Sequence, residues 1–370
     1  MTLIRAAVCH EPNSDLTIEE IELASPELDE VRVTVDACAI CHSDITYIDG
    51  GWAIEYPVVL GHEISGKVAE IGPHTETELN VGDPVVVSLI RTCGLCLACE
   101  RGHDVACTGK LRLHETSPIR TKAGEQITHG LNAAGFAEEI VVHVSQCVPV
   151  PEDLPSTFAA LLGCGVMTGL GSVFNTAKVG PDDVTVVVGC GGVGLAAIQG
   201  AKISGAKFVI AVDPLENKRH LALQFGATHA LDPTEDLEKM IQSINDGRLA
   251  DFTFVTTAAP EAVSMSMKLL APMGSLVLVG MPEDGIMSEF DPGLIAARNQ
   301  QILGSKMGTS RPHFDIPSMV KLWTEGKLNL EKMVSSVYAL DEINEAIQEM
   351  RSGSTIRAVV CPNSTKKDPK

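Results

Sequence analysis

Residues Val184 to Asp213 constrain the fold of this chain more than any other stretch. Val184-Thr185-Val186-Val187-Val188 is a short β-branched apolar run, suited to a strand buried on both faces. It runs into Gly189-Cys190-Gly191-Gly192-Val193-Gly194, a G-x-G-x-x-G, and then into Leu195-Ala196-Ala197-Ile198-Gln199, the opening of a helix. Gly205 stops that helix, Phe208 to Val212 makes a second buried strand, and Asp213 stands at its carboxyl end. A glycine motif alone would mark a turn in any α/β protein. Strand, glycine turn, helix, strand and acid in this order predict a dinucleotide site. One glycine makes the turn, one lets a pyrophosphate approach the backbone, and one lets the helix pack on the strand. The helix N-terminus then offers free N–H groups to the phosphates. The Asp213 carboxylate suits the hydroxyls of an adenosine ribose and repels a 2′-phosphate, which predicts NAD as the cofactor and not NADP.

At 370 residues the chain is too long for one ordinary core, so two domains are expected. Hydrophobic residues at 45% and charged residues at 21% describe a globular protein, and no apolar run reaches bilayer-spanning length. The net charge of −20 argues against nucleic acid or an anionic membrane as partner. The amino terminus soon meets His10 and Glu11 and makes a poor signal peptide. Eleven cysteines, an odd number, favour metal or catalytic thiols in a reducing compartment over a disulfide framework. A cytoplasmic location is expected.

Residues 1 to about 40 alternate apolar and polar, as in Val31-Arg32-Val33-Thr34-Val35, which is the pattern of a sheet with one wet face. Residues 108 to 130 are polar and expected to be loop, and strand pattern returns from Phe136 to Val150. From Thr157 the pattern turns helical. Short buried strands and helices then alternate over 184 to 304, predicting a doubly wound parallel sheet. Two more helical stretches, Ile316 to Glu325 and Leu340 to Arg351, precede a final strand from Arg357 to Val360. The tail Lys366 to Lys370 is expected to fray.

Two sets of side chains suit metal. Cys93, Cys96, Cys99 and Cys107 put four thiols within fifteen residues, spacing that closes a tetrahedral S4 shell around a structural zinc. An iron–sulfur cluster is the competing reading, but the fourth cysteine comes after seven intervening residues and lacks a following proline. The second set is scattered: Cys41, His62 and Cys164. Singly, each suits a buried core position. Together they supply two thiolates and an imidazole, an open catalytic zinc set, with Asp44 as an acceptor that orients the imidazole.

Over its whole length the chain resembles the zinc-dependent alcohol dehydrogenases of the medium-chain dehydrogenase/reductase superfamily. The matches are Cys41-His42-Ser43-Asp44, Gly61-His62-Glu63 with Gly66 and Gly72, Gly82-Asp83, the four-cysteine lobe, Gly163-Cys164-Gly165 with Thr168-Gly169, the glycine motif, and Arg351-Ser352-Gly353 with Arg357. The resemblance implies an α/β fold: a β-rich GroES-like catalytic domain over residues 1–165 and 308–370, carrying the zinc lobe (93–107), and a Rossmann domain over 166–307. It implies two zinc ions per chain, with Glu63 close to the catalytic one and Ser43 on the substrate oxygen. Of the cofactor-binding residues, Gly189, Gly191, Gly192 and Gly194 form the turn, and His42 and Arg357 reach the pyrophosphate. Val193 and Thr168 lie behind the nicotinamide, Asp213 binds the adenosine ribose, and Lys218 stands near it. The implied activity is reversible hydride transfer between a small alcohol and NAD, giving an aldehyde or ketone, in a homodimer or homotetramer.

Cys164 stands where polyol-type relatives carry a carboxylate, which points to the liver-type and formaldehyde dehydrogenase group. Thr46 departs from that group, several of whose enzymes end a proton relay there with histidine. Trp52 and Leu89 fall where the family lines its substrate pocket, with Met281 a further candidate, and suggest an apolar substrate of medium size. Two alternatives stay open: a thiol-adduct formaldehyde dehydrogenase, and a non-catalytic nucleotide-binding redox sensor, against which all three catalytic ligands speak.

Overall fold

The computed structural model describes residues 1–364, so the tail expected to fray lies outside the described residues. The chain divides into two compact units, one of Met1–Cys164 with the segment from Arg311 on, the other of Gly165–Ser310.

The first unit is built on antiparallel sheets. Thr2–Cys9 pairs with Thr17–Leu23 in a register that sets Ile4 against Ile21, so the buried alternate residues of both strands enter one core. The central strand is Glu30–Ala39. It pairs with Glu63–Ile71 along one edge and with Glu139–His143 along part of the other. Ala358–Cys361 completes that edge, with Val359 opposite Ala39 and Val360 opposite Cys38. That last pairing is why both ends of the chain belong to one unit. Ile21, Leu23, Ile40, Leu60, Ile64 and Phe136 are among its largest fully buried side chains.

The expectation of plain loop over 108–130 needs correction. A short helix, Arg112–Glu115, and two-residue strands Ile119–Arg120 and Thr128–His129 occur there, and the strands are the outer members of a five-stranded sheet. Isolated apolar anchors, Leu113, Ile119 and Ile127, are buried here, and an ion pair adds to them. Arg112 Nε donates to Glu30 Oε1 at 2.7 Å and its Nη2 to Glu30 Oε2, and Glu30 is buried.

The second unit holds six parallel strands, ordered His229–Leu231, Phe208–Val212, Val184–Val188, Ala250–Val255, Leu270–Leu278, Gln301–Gly304. This is the doubly wound order with its first strand central, and Val186 lies level with Ile210 on one side and Thr253 on the other. Val184 to Val188 are all buried, as a strand covered on both faces requires. Helix Gly192–Ile203 follows the glycine turn, and Gly226, in the left-handed region at φ 117°, ends helix Glu216–Phe225. The strands His229–Leu231 and Gln301–Gly304 are too short to stand out in sequence.

Candidate metal and cofactor sites

Strand pairing brings the scattered ligands of the first unit together. Ala39 lies opposite Glu63, so Cys41, just past one strand, and His62, just before the other, emerge side by side. Cys164 arrives from a third direction. It follows helix Ser156–Leu161 and the glycine Gly163, where a Cβ would sit 2.9 Å from Val87 O and 3.3 Å from Ile64 N. Only glycine lets that segment press so closely on the sheet. Cys41, His62, Glu63 and Cys164 are all buried, with ligand atoms within 4.8 Å of one another.

Asp44 is the hub of this cluster and is fully buried. Its Oδ2 accepts from Cys41 N at 3.0 Å, and its Oδ1 accepts from Gly61 N at 2.9 Å and from His62 Nδ1 at 3.1 Å. One carboxylate therefore fixes the helix start that carries Cys41, the turn that carries His62, and the tautomer of the imidazole. With Nδ1 so engaged, His62 Nε2 is a buried nitrogen without a hydrogen-bond partner. An orphaned imidazole nitrogen beside two thiols is the signature of a metal ligand.

The charges agree. Cys41 is held well below the usual thiol range, first by the hydrogen bond from Cys164, with burial opposing and His62 assisting. Cys164 is pushed well up as the donor of that bond and by burial. Burial resists protonation of His62, yet the charge and hydrogen bond of Asp44 outweigh it and raise the ring well above its ordinary value. Burial pushes Glu63 up to about 7, against the pull of Arg357. Such a knot of acids and a thiolate is relieved by a divalent cation. Arg357, expected at the pyrophosphate, is buried here. Its Nε lies 3.4 Å from Glu63 Oε2, and its Nη1 donates to Ile356 O.

Ser43 Oγ lies 3.8 Å from Cys41 Sγ, and Thr46 Oγ1 donates to His42 O at 2.9 Å. His42 is exposed. Trp52 is half-buried and stands edge-on to Tyr47 with ring centroids 5.2 Å apart, and Leu89 is half-buried too.

In the lobe, the sulfur atoms of Cys96 and Cys99 are 3.5 Å apart, those of Cys96 and Cys107 3.9 Å, and those of Cys93 and Cys99 4.0 Å. Tetrahedral zinc–thiolate bonds of about 2.3 Å require sulfurs about 3.8 Å apart, so the lobe is already shaped for the ion. Backbone N–H groups of Cys93 and Gly109 donate to Cys107 Sγ, as thiolates need.

In the second unit Gly189 has φ 94°, and a Cβ on Gly194 would meet Gly189 O at 1.9 Å. Both glycines are demanded by the turn itself. Gly191 differs. A Cβ there would meet nothing within 4 Å, so its bareness leaves open space at the helix N-terminus, a cradle fit for a pyrophosphate. Asp213 is buried, with Oδ2 accepting from Cys190 N at 2.8 Å and Oδ1 from Leu215 N at 2.9 Å. Each carboxylate oxygen keeps a lone pair for a ribose hydroxyl. Thr168 is buried with Oγ1 3.7 Å from Met307 Sδ, while Gly192 is buried and Val193 and Lys218 are half-buried. Met281 is 61% exposed.

Sequence reasoning missed a polar network in the first unit. Gln146 Nε2 donates to Ser88 O, Asn132 Nδ2 to Leu89 O, and Arg91 joins Gln146 Oε1 to Asn132 O. It holds the strap from Ser88 to Thr92 that leads into the lobe. Its one signal in the sequence is Gln146, a polar residue just ahead of the apolar run Cys147-Val148.

A buried Cys–His–Cys cluster in one unit and a doubly wound sheet with an open glycine turn in the other define a metal-dependent dehydrogenase. Residues 27–152 match the alcohol dehydrogenase GroES-like domain, and residues 192–325 match the zinc-binding dehydrogenase domain. Alcohol dehydrogenase B of Mycobacterium tuberculosis is 35% identical over 96% of this chain and 97% of that protein. The NDMA-dependent alcohol dehydrogenase of Amycolatopsis methanolica is 32% identical over 96% of this chain and 98% of that protein. The crystal structure of benzyl alcohol dehydrogenase from Acinetobacter calcoaceticus has a TM-score of 0.90 at 34% identity, covering 98% of this chain and 99% of that one. The chain belongs to the zinc-dependent alcohol dehydrogenase family of the medium-chain dehydrogenase/reductase superfamily. It is an enzyme, a zinc-dependent alcohol oxidoreductase.

Proposed function

We propose that this enzyme oxidises an alcohol to an aldehyde or ketone with NAD, reversibly, using one zinc held by Cys41, His62 and Cys164 and a second held by the four lobe thiols. The observation that carries the catalytic assignment is the buried, unpartnered Nε2 of His62 facing two thiols. Zinc supplies Lewis acidity that makes a hydroxyl acidic near neutral pH, and the nicotinamide supplies the hydride acceptor. The chain's own residues do the rest. Asp44 fixes His62 and Cys41, Glu63 stays beside the cluster paired with Arg357, and Ser43 Oγ accepts the proton of the substrate hydroxyl while its own hydroxyl proton is released towards water. Thr46, bonded to His42 O, has no basic nitrogen to pass that proton on. The half-buried Trp52 and Leu89 support an apolar substrate, and the likeness to a benzyl alcohol dehydrogenase supports an aromatic one. Turnover on primary, secondary, allylic and aromatic alcohols, and on formaldehyde with and without a thiol, tests this. Activity confined to a formaldehyde–thiol adduct overturns it.

The cofactor reading rests on Asp213. Its buried carboxylate, anchored by two backbone N–H groups, suits ribose hydroxyls, with Lys218 nearby. A 2′-phosphate adds about −1.5 to −2 charges. At about 5 Å and an effective dielectric near 20, each unit of charge costs about 3 kcal/mol, so NAD is preferred a hundredfold or more. Comparison of kcat/KM for the two cofactors checks it, and equal values refute it.

A reducing, cytoplasmic setting is supported by the six cysteines that fall in the two metal-type clusters, since thiols must stay reduced to hold a metal. A homodimer is supported by the open edge of strand Gln301–Gly304. Beside it lies an apolar groove of about 860 Å³ lined in part by Met273, Phe290, Ile295 and Ile302. Light scattering tests the assembly state.

A further inference from the structure

Asp213 repels a 2′-phosphate, but repulsion is decisive only if no cation nearby offsets it. Two cations follow in helix Glu216–Phe225: Lys218 and Arg219. Their charges act on the glycine turn, for both draw down the Cys190 thiol, which burial and Asp213 together raise to about 12. Arg219 therefore stands within electrostatic reach of the adenosine end of the site, and its planar fork is the better partner for a phosphate.

Arg219 is not at liberty to meet one. Its Nη1 donates to Asp213 O at 2.8 Å, to Pro214 O at 2.9 Å and to Asp232 Oδ2 at 2.8 Å. Asp232 lies just past strand His229–Leu231 and is itself pinned. Its Oδ1 accepts from Thr234 N at 3.0 Å and from Thr234 Oγ1 at 2.7 Å. Bonds from Thr234, with Arg219 assisting, hold the Asp232 carboxyl below the usual range, so the ion pair persists at neutral pH. The two side chains are only 19% and 29% exposed, a setting in which a fixed ion pair keeps its geometry.

We propose that Asp232 is a positioning residue for cofactor choice: it clamps the Arg219 guanidinium onto the backbone of Asp213 and Pro214 and so withholds the one arginine that would otherwise bind a 2′-phosphate. Discrimination then has two parts, Asp213 repelling the phosphate and Asp232 denying it the Arg219 guanidinium. This rests on the NAD reading above and deepens it.

The test is direct binding, without alcohol, of NAD and NADP to the zinc-loaded enzyme, followed by calorimetry or nicotinamide fluorescence. Asp232→Asn keeps the shape and the Thr234 contacts while removing the ion pair. NADP should bind it tenfold or more tightly than it binds the unmodified enzyme, with NAD affinity changed by less than about threefold. In Asp232→Asn combined with Arg219→Gln the gain should vanish, because the cation that made it is gone. An unchanged NADP-to-NAD ratio in Asp232→Asn overturns the proposal. So does a gain that survives Arg219→Gln, which would show that loss of the Asp232 charge acts through space. Should Asp232→Asn fail to fold, Asp232→Ser removes the same carboxylate with a smaller side chain, and it must move the ratio the same way. The NAD reading fails separately: it falls if the unmodified enzyme already binds NADP as tightly as NAD.

Discussion

The two metal clusters use the same soft ligands and are built in opposite ways. The lobe draws four thiols from one short segment, all partly exposed, and shapes them with turns such as Gly94 and Gly102, both at φ 71°. The cluster at His62 draws buried ligands from three places between Cys41 and Cys164 and depends on sheet pairing, on Gly163 and on the Asp44 carboxylate. A local cluster needs its metal to fold its own loop, because so small a segment has no core. An assembled cluster is shaped by a core that folds around it, and its fourth position can be left to substrate. The difference predicts where damage travels: loss of a lobe ligand costs stability, loss of a buried ligand costs chemistry.

The largest expected effect is that of Cys164→Ser. Lewis-acid catalysis is worth several kcal/mol, so turnover should fall about a thousandfold or more while the circular dichroism spectrum is retained. Global unfolding of that variant would erase the distinction between the clusters. Ser43→Ala comes next. Ser43 holds no metal, so zinc content should stay constant while the oxidation rate falls by about 10²–10⁴, the range of acid–base groups. Near-normal turnover would show that the proton leaves by another route.

The same contrast governs what could be read from the sequence. The lobe was legible because its whole specification fits between Cys93 and Cys107, and the glycine turn because its strands and helix are contiguous with it. The ligands Cys41, His62 and Cys164 were legible as chemistry, but their meeting depends on Ala39 pairing with Glu63, which no local pattern reveals. From the sequence Asp44 is a partner of His62 alone. Its bonds to the N–H groups of Cys41 and Gly61 come from that same pairing. The order of residues 108–130 escapes a reading by periodicity because it comes from the Glu30–Arg112 pair and from a few isolated apolar anchors, Leu113, Ile119 and Ile127, set among polar residues. Arg219 is a cation in any reading of the sequence, but its clamp by Asp232 joins two strand ends that sequence does not align.

Asp44→Asn sharpens the comparison from inside the buried cluster. The amide is isosteric but presents one acceptor oxygen where the carboxylate presents two, and it removes the charge facing His62. Partners of metal ligands contribute about 10–100-fold to affinity, so zinc competition with a chelator should show a loss in that range. The lobe zinc should be untouched, leaving one ion firmly held and one labile. Equal loss of both ions would break the idea that the clusters are independent.

The smallest expected effect on chemistry, and the closest test of independence, is that of Cys99→Ser. Metal-binding energy in a site of this kind is folding energy of its own loop, so the lobe should lose its ion and its order. Elemental analysis should then read one zinc per chain instead of two, and the melting midpoint should fall by several degrees. The catalytic ligands are anchored elsewhere: by Asp44, by the strand Glu63–Ile71 and by the Gly163 approach to Val87. None of these anchors is a lobe residue. Distant, independent sites couple by less than about 0.5 kcal/mol, so kcat per folded molecule should stay within about twofold. The strap from Ser88 to Thr92 is the covalent path by which lobe disorder reaches Leu89, and Asn132 and Gln146 bolt it down, in part through the strap's own Arg91. A rise in KM for bulky alcohols with kcat intact would trace coupling through that strap. A collapse of kcat in folded Cys99→Ser enzyme would mean that the lobe metal serves the chemistry after all.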